Sequence, residues 1–282
     1  MDSPHKRGDT VAPTLVIGAG GKTGRRVAAR LVDGGHQVRR GSRSGEPRFD
    51  WEDRDTWADA LAGVGAAYVS YYPDLALPGA AEAVGDLARQ AVESGVRRLV
   101  LLSGRGEPGA LAAEHELAAS GAEWTVLRCS WFAQNFSEGY LLDPVLAGEV
   151  ALPVAAVGEP FVDLEDVADV ALAALTGEGH AGQVYELTGP RLLTFAEAVG
   201  EIATAAGRPV AFAEVTMPEF LAGLREAEVP AEFGELLEHL FTEVLDGRNA
   251  ELADGVERAL GREPRDFSAY ATAAAAAGAW RV

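Results

Sequence analysis

The sequence predicts an α/β fold, a doubly wound parallel sheet with a smaller, mainly helical C-terminal lobe. Three observations predict it. Short, partly β-branched apolar runs alternate with stretches of helical periodicity up to about Leu187. The first of those runs passes directly into glycines at a fixed spacing and then into a helix. Beyond Thr194 the periodicity is almost entirely helical.

The first strand is the run Leu15, Val16, Ile17, apolar enough to be buried on both faces. From Lys22 onward Val27, Ala28 and Leu31 recur at helical spacing, and Gly34 and Gly35 can stop the helix. The turn between them is decided by its spacing. A P-loop ending in Gly21, Lys22, Thr23 would need glycine where Val16 stands, and a first-third-sixth glycine fingerprint fails at Thr23. Gly18, Gly21 and Gly24 do fit a three-residue spacing. There the first glycine permits the tight turn, the second lets backbone approach a pyrophosphate, and the third packs helix on strand. Gly18, Gly20, Gly21, Lys22, Thr23 and Gly24 are therefore read as the phosphate site of a dinucleotide in a Rossmann-like fold.

Gln37 to Arg43 reads as the second strand and its turn. NAD-preferring sites place a carboxylate here for the ribose hydroxyls, but this chain offers Arg39, Arg40, Ser42 and Arg43, with no acid before Glu46. Guanidinium and hydroxyl donors suit a 2′-phosphate, so NADP(H) is expected over NAD(H), with Ser42 and Arg43 as contacts. A short third strand is expected before Asp50 and Trp51, and a helix over Asp53 to Leu61, which Asp50 could cap. The fourth strand, Ala66 to Tyr72, ends in Tyr71 and Tyr72, at the end of the sheet where ligands bind.

Arg98 to Ser103 reads as the fifth strand, Ala110 to Leu117 as a helix carrying His115, and Trp124 to Arg128 as the sixth strand. Residues 130 to 140 then leave the sheet at the crevice. Trp131, Phe132, Gln134, Asn135, Phe136 and Tyr140 are read as a wall of the substrate pocket, the alternative being an amphipathic helix packed on the core. Leu152-Pro153 and Pro160 to Val162 are expected as short strands, Leu164 to Leu175 as a helix and Gln183 to Leu187 as a strand. Thr194 and Glu197 form a capping box, and helices are expected over Pro218 to Glu226, Pro230 to Leu245 and Asp266 to Ala279. The organisation expected is a mobile polar leader (1–13), a dinucleotide-binding core (14–188, with 130–165 contributing to the pocket) and a helical substrate lobe (189–282).

The glycine spacing resembles that of the short-chain dehydrogenase/reductase superfamily, and the chain is similar to its atypical, NmrA-like branch from about Thr14 to Val282. Arg48 to Asp53, Val96 to Gly104, Glu123 to Arg128, Ser130 to Phe136 and Pro160 to Ala168 carry the resemblance. Within the branch it looks most like the festuclavine and agroclavine synthase type, and like quinone and triphenylmethane reductases. The resemblance implies an arginine contact at Arg43, an adenine contact at Asp50 beside Trp51, and a serine at Ser103 where typical members carry the catalytic one. It departs at Cys129, where relatives commonly have proline.

Typical members also need Tyr-x-x-x-Lys, whose lysine lowers the tyrosine pKa for proton donation. The only lysines are Lys6 and Lys22, and none lies four residues after any of the six tyrosines. The candidates left are Ser103, His115 and Tyr72. An acceptor that takes hydride without a simultaneous proton suits such a site: an iminium ion, a quinone-like ring or a stabilised carbocation. Two alternatives remain open, a non-catalytic NAD(P) sensor of the NmrA kind and a redox-neutral isomerase or cyclase.

A formal charge of −19 repels nucleic acid and anionic lipid, so a small molecule is the expected partner. Cys129 is the single cysteine, which excludes an internal disulfide, and no spacing suits a metal. No apolar run is long enough to span a membrane and no signal peptide is evident, so a cytoplasmic location is expected. Monomer and homodimer are both compatible with the sequence.

Overall fold

The protein is described by a computed structural model covering residues 12–154 and 156–282; the expected leader lies outside the described residues up to Val11. In chain order come β1 (Thr14–Ile17), α1 (Lys22–Asp33), β2 (Val38–Gly41), α2 (Trp57–Leu61), β3 (Ala66–Val69), α3 (Ala80–Glu93), β4 (Arg98–Gly104), α4 (Pro108–Ala118) and β5 (Glu123–Cys129). Then follow α5 (Asn135–Glu138), α6 (Leu142–Ala147), β6 (Glu149–Leu152), α7 (Leu164–Thr176), β7 (Gln183–Leu187), α8 (Phe195–Ala206) and β8 (Ala211–Glu214). The chain closes with α9 (Met217–Glu226), α10 (Ala231–His239), α11 (Gly255–Leu260) and α12 (Phe267–Ala276).

Six strands form one parallel sheet in the order β2-β1-β3-β4-β5-β7. The order reverses between β1 and β3, and the carboxyl ends of those strands flank the crevice expected of a doubly wound sheet. The strands β1 and β3 are buried along their whole length, as their unbroken apolar runs require. The expected third strand does not form. The Asp50 carboxylate turns back to the Glu52 N–H and to Arg48, and only an isolated bridge joins Asp50 to Asp53.

Other expectations shift for local reasons. The strand expected through Tyr72 ends at Val69. The helix expected from Asp53 begins as a 3₁₀ turn, Arg54–Thr56, before α2. Pro160 to Val162 makes a single bridge from Val162 to Phe132 rather than a strand. The strand near Leu152 is β6, whose partner is β8, a strand the helical pattern around it conceals. The helix over Pro230 to Leu245 ends in a π-turn, Leu240–Val244.

One core lies under α2, α3 and α4, another under α1 and α7. A third packs β6, α8, α9, α10 and α12 around Phe136, Phe161, Phe195 and Phe267. Ion pairs fix α1 against α7: Arg26 and Arg30 reach Glu165 at 2.7 and 2.6 Å. Arg26 also bonds Glu138 of α5, so the helix that opens at the glycine turn is held to the segment carrying Asn135.

Candidate functional site

A cavity of about 520 Å³ opens at the carboxyl ends of β1, β3, β4 and β5, within the size range of small-molecule sites. Its floor is Gly21 to Thr23, Ser70 to Leu75 and Leu102 to Arg105. Ser130 to Phe132, Asn135, Tyr140 and Glu159 form one wall, and Phe233, Leu236, Leu237, Leu240 and Val244 close it from α10 and the π-turn.

The glycine turn has the geometry of a phosphate cradle. Gly18 sits at φ +72°, where only glycine is unstrained, and a methyl at Gly24 would overlap the Gly18 carbonyl oxygen. Strand and helix therefore touch through bare backbone. A Cβ at Gly20 would meet nothing within 4 Å, so the backbone there is open to a ligand. The N-terminus of the twelve-residue α1 has no side-chain cap, which leaves its N–H groups free for an anion. Lys22 donates to Asn135 Oδ1 at 2.5 Å, and burial lowers its pKa. These residues fit a dinucleotide pyrophosphate.

Within β2, Arg39 is engaged by the Ala60 and Ala62 carbonyls at 2.8 and 2.7 Å. Arg43 is exposed, with its guanidinium 5.7 Å from the centre of the Tyr72 ring, and Ser42 stands beside it. Asp50 and Trp51 lie outside the cavity lining. The Glu52 N–H, and then Arg48, hold the Asp50 carboxyl below its ordinary range. The Trp51 indole donates to the Ser70 carbonyl at 3.1 Å and packs on Tyr71 at 4.8 Å, so it backs the cavity floor. Both tyrosines line the cavity, Tyr71 half-buried and Tyr72 largely exposed.

Of the expected substrate wall, Trp131, Phe132, Asn135 and Tyr140 line the cavity. Gln134 and Phe136 do not, which corrects the reading of the segment as one face. The Gln134 amide donates to Asp163 at 2.6 Å and accepts from the Leu164 N–H at 2.9 Å, fixing the start of α7. Phe136 is fully buried among the phenylalanines of the third core. The segment alternates between wall and core because it is an irregular turn ending in one short helix.

Ser103 lines the cavity at the end of β4. Its hydroxyl donates to Glu114 at 2.6 Å, and Arg128 of β5 donates to the same carboxylate oxygen at 3.0 Å. His115 is on the exposed face of α4 and outside the cavity, a correction. One residue is about 100° of helix rotation, so Glu114 faces inward where His115 cannot. Glu114, Glu107, Asp74 and Glu159 all escape the sequence reading, because none shows a motif spacing. Burial pushes Glu159 up to about 7, although the Trp131 N–H donates to it at 2.9 Å. Among the described residues no cluster suits a metal ion, and no helix is long and apolar enough to cross a membrane.

Residues 18–178 match the NAD(P)H-binding family. An uncharacterised oxidoreductase of Bacillus subtilis is 30% identical, over 94% of this chain and 96% of its own. Agroclavine dehydrogenase of Claviceps fusiformis is also 30% identical, over 91% of this chain and 95% of its own. The crystal structure of Citrobacter triphenylmethane reductase with NADP(H) superposes with a TM-score of 0.71 at 20% identity, over 93% of this chain and 99% of that one. The chain therefore belongs to the NAD(P)H-binding family, as an NAD(P)H-dependent oxidoreductase.

Proposed function

We propose that the chain is an NADPH-dependent reductase that passes hydride to a small, cyclic or aromatic electrophile of iminium or quinone-like character. Ser103 carries the reading. A hydroxyl has one proton, and here it is committed to Glu114, a carboxylate already charge-paired with Arg128. Ser103 can accept a hydrogen bond from a ligand but cannot donate one to a developing alkoxide. With no Tyr-x-x-x-Lys in the chain, an acceptor that needs no proton in the hydride step fits best.

The residues divide the work. Gly18 to Gly24 and the start of α1 would hold the pyrophosphate, and Ser42 and Arg43 the 2′-phosphate. Bound there, the dinucleotide supplies the hydride. Trp131, Phe132, Phe233 and Leu237 offer apolar walls that orient a flat acceptor and exclude water.

The test is steady-state oxidation of NADPH against a panel of cyclic iminium salts and quinones. Turnover of either class supports the reading. Tight NADPH binding with no turnover of any acceptor would replace it with the NmrA-type sensor.

A further inference from the structure

The cavity holds two carboxyl groups that the reductase reading does not use. Glu107 precedes α4 just beyond β4, Asp74 follows β3, and both line the cavity. Glu107 is 9% exposed; its carboxyl shares a hydrogen bond with the Asp74 carboxyl, and no cation among the described residues offsets the pair. It rests against the backbone of Gly104, where a Cβ would collide with it. Asp74 accepts from the Ala76 N–H at 2.8 Å. The guanidinium nearest in sequence, Arg105, also lines the cavity but is engaged: it bonds the Asn249 and Glu251 carbonyls and pairs with Glu186 at 3.3 Å. Two adjacent carboxyls without a cation, in a largely apolar cavity, do not both ionise unless something positive joins them.

We propose that Asp74 and Glu107 anchor the positively charged nitrogen of the acceptor, an iminium or ring-ammonium cation. This rests on the reductase reading and selects the cationic class within it. The apolar walls would cover the ring while the carboxyl pair supplies the counter-charge that a desolvated cation requires. A neutral quinone gains nothing from the pair.

Burial, and then the Asp74 carboxyl, push Glu107 up to about 8. Near neutrality the pair therefore holds a proton that a cation must displace. The other titratable groups facing the cavity are otherwise engaged or uncharged: Lys22 is bonded to Asn135, Glu159 to the Trp131 N–H and Arg105 to Glu186, and the rest are the buried Cys129 thiol and the phenols of Tyr71, Tyr72 and Tyr140. Cation affinity should accordingly fall as pH drops below about 8, by up to about tenfold per pH unit.

The experiment is calorimetric titration of the full chain with an N-methyl-dihydroisoquinolinium salt and, in parallel, 1,4-naphthoquinone. Glu107→Gln and Asp74→Asn should each weaken cation binding by about tenfold or more and move naphthoquinone binding by less than about threefold. Retained NADPH binding certifies that a variant is folded; if neither variant folds, the wild-type pH series decides. Equal losses for both ligands, or a cation affinity that is flat across neutral pH, would overturn the anchor. Turnover is scored separately. A cation that binds at the pair, with no acceptor of either class reduced, sinks the reductase and leaves the anchor standing, whereas undiminished cation binding and reduction in both variants does the reverse.

Discussion

Ser103 and Glu114, eleven residues apart, share a 2.6 Å hydrogen bond that runs from the end of β4 to the inward face of α4. Glu114 is 6% exposed and Arg128 neutralises it, so the carboxylate stays an acceptor and the serine proton stays with it. A position that resembles a catalytic serine thus shows the cavity only lone pairs. That polarity suits an N–H group of a ligand, not an oxygen that must be protonated.

Cofactor preference tests the role proposed for Arg43. Among the arginines of β2 and the turn beyond it, Arg39 is occupied by the carbonyls at the end of α2, while Arg43 lies over Tyr72 at the edge of the cavity. NADPH should bind more tightly than NADH, and Arg43→Ala should abolish most of the difference. A charge-assisted contact of about 1.5–3 kcal/mol corresponds to roughly ten- to a hundredfold in affinity. Fluorescence titration giving equal affinities for the two cofactors in the wild type would reject this assignment.

Gly24 and Gly21 should fail differently. A methyl at Gly24 overlaps the Gly18 carbonyl oxygen, so Gly24→Ala must push α1 off β1, an overpacking cost of about 1–3 kcal/mol. A Cβ at Gly21 meets that oxygen at 3.2 Å, a tight fit that a small shift relieves. Gly21→Val should therefore keep most of its melting temperature yet lose NADPH binding, because its side chain occupies the pyrophosphate's approach. Unchanged NADPH affinity in a folded Gly21→Val variant would mean that the phosphates bind elsewhere.

Stability should also report on Glu159, 3% exposed with a carboxyl raised from 4.5 to about 7 by burial. The native state holds this proton more tightly than the unfolded chain does. Its contribution is thus fully present below about pH 4.5 and is lost as pH rises through about 7. Glu159→Gln can still accept the Trp131 N–H and cannot ionise. The variant should melt several degrees above wild type at alkaline pH and lose that advantage in acid. Parallel melting curves across pH, with a constant offset, would show that Glu159 is not buried as a neutral acid.

The legible part of the site was backbone. Glycine spacing at Gly18, Gly21 and Gly24 leaves a sequence trace because close approach excludes every side chain, and the β1 and β3 runs do so because burial excludes polar ones. Side-chain polarity left no such trace. Reading α4 for a histidine pointed to His115, whereas the residue that meets Ser103 is Glu114, turned inward by one helical step. The role of Gln134 depends on Asp163, twenty-nine residues away, and that of Glu107 on the distant Asp74, pairings that only the folded sheet creates. The third strand failed for a local reason, since Asp50 binds the backbone of its own turn and leaves no extended segment to pair.

Mechanism provides the last test. If no side chain donates a proton during hydride transfer, Ser103→Ala and His115→Ala should each retain substantial turnover of a good hydride acceptor. General acid catalysis is worth about 10²–10⁴-fold, so a true donor would show a loss of that size. His115 faces solvent and should be silent. Ser103→Ala removes one hydrogen bond from Glu114, which keeps both bonds from Arg128, so the site should hold its shape. Trp131→Ala or Asn135→Ala should instead change acceptor preference, the first by removing an apolar wall, the second by freeing Lys22. The comparison needs an acceptor whose reduction is limited by hydride transfer, established by a primary isotope effect with deuterated NADPH. A thousandfold loss in Ser103→Ala with NADPH binding unchanged would make the serine a donor, with Glu114 its proton source, and would end the direct-hydride reading.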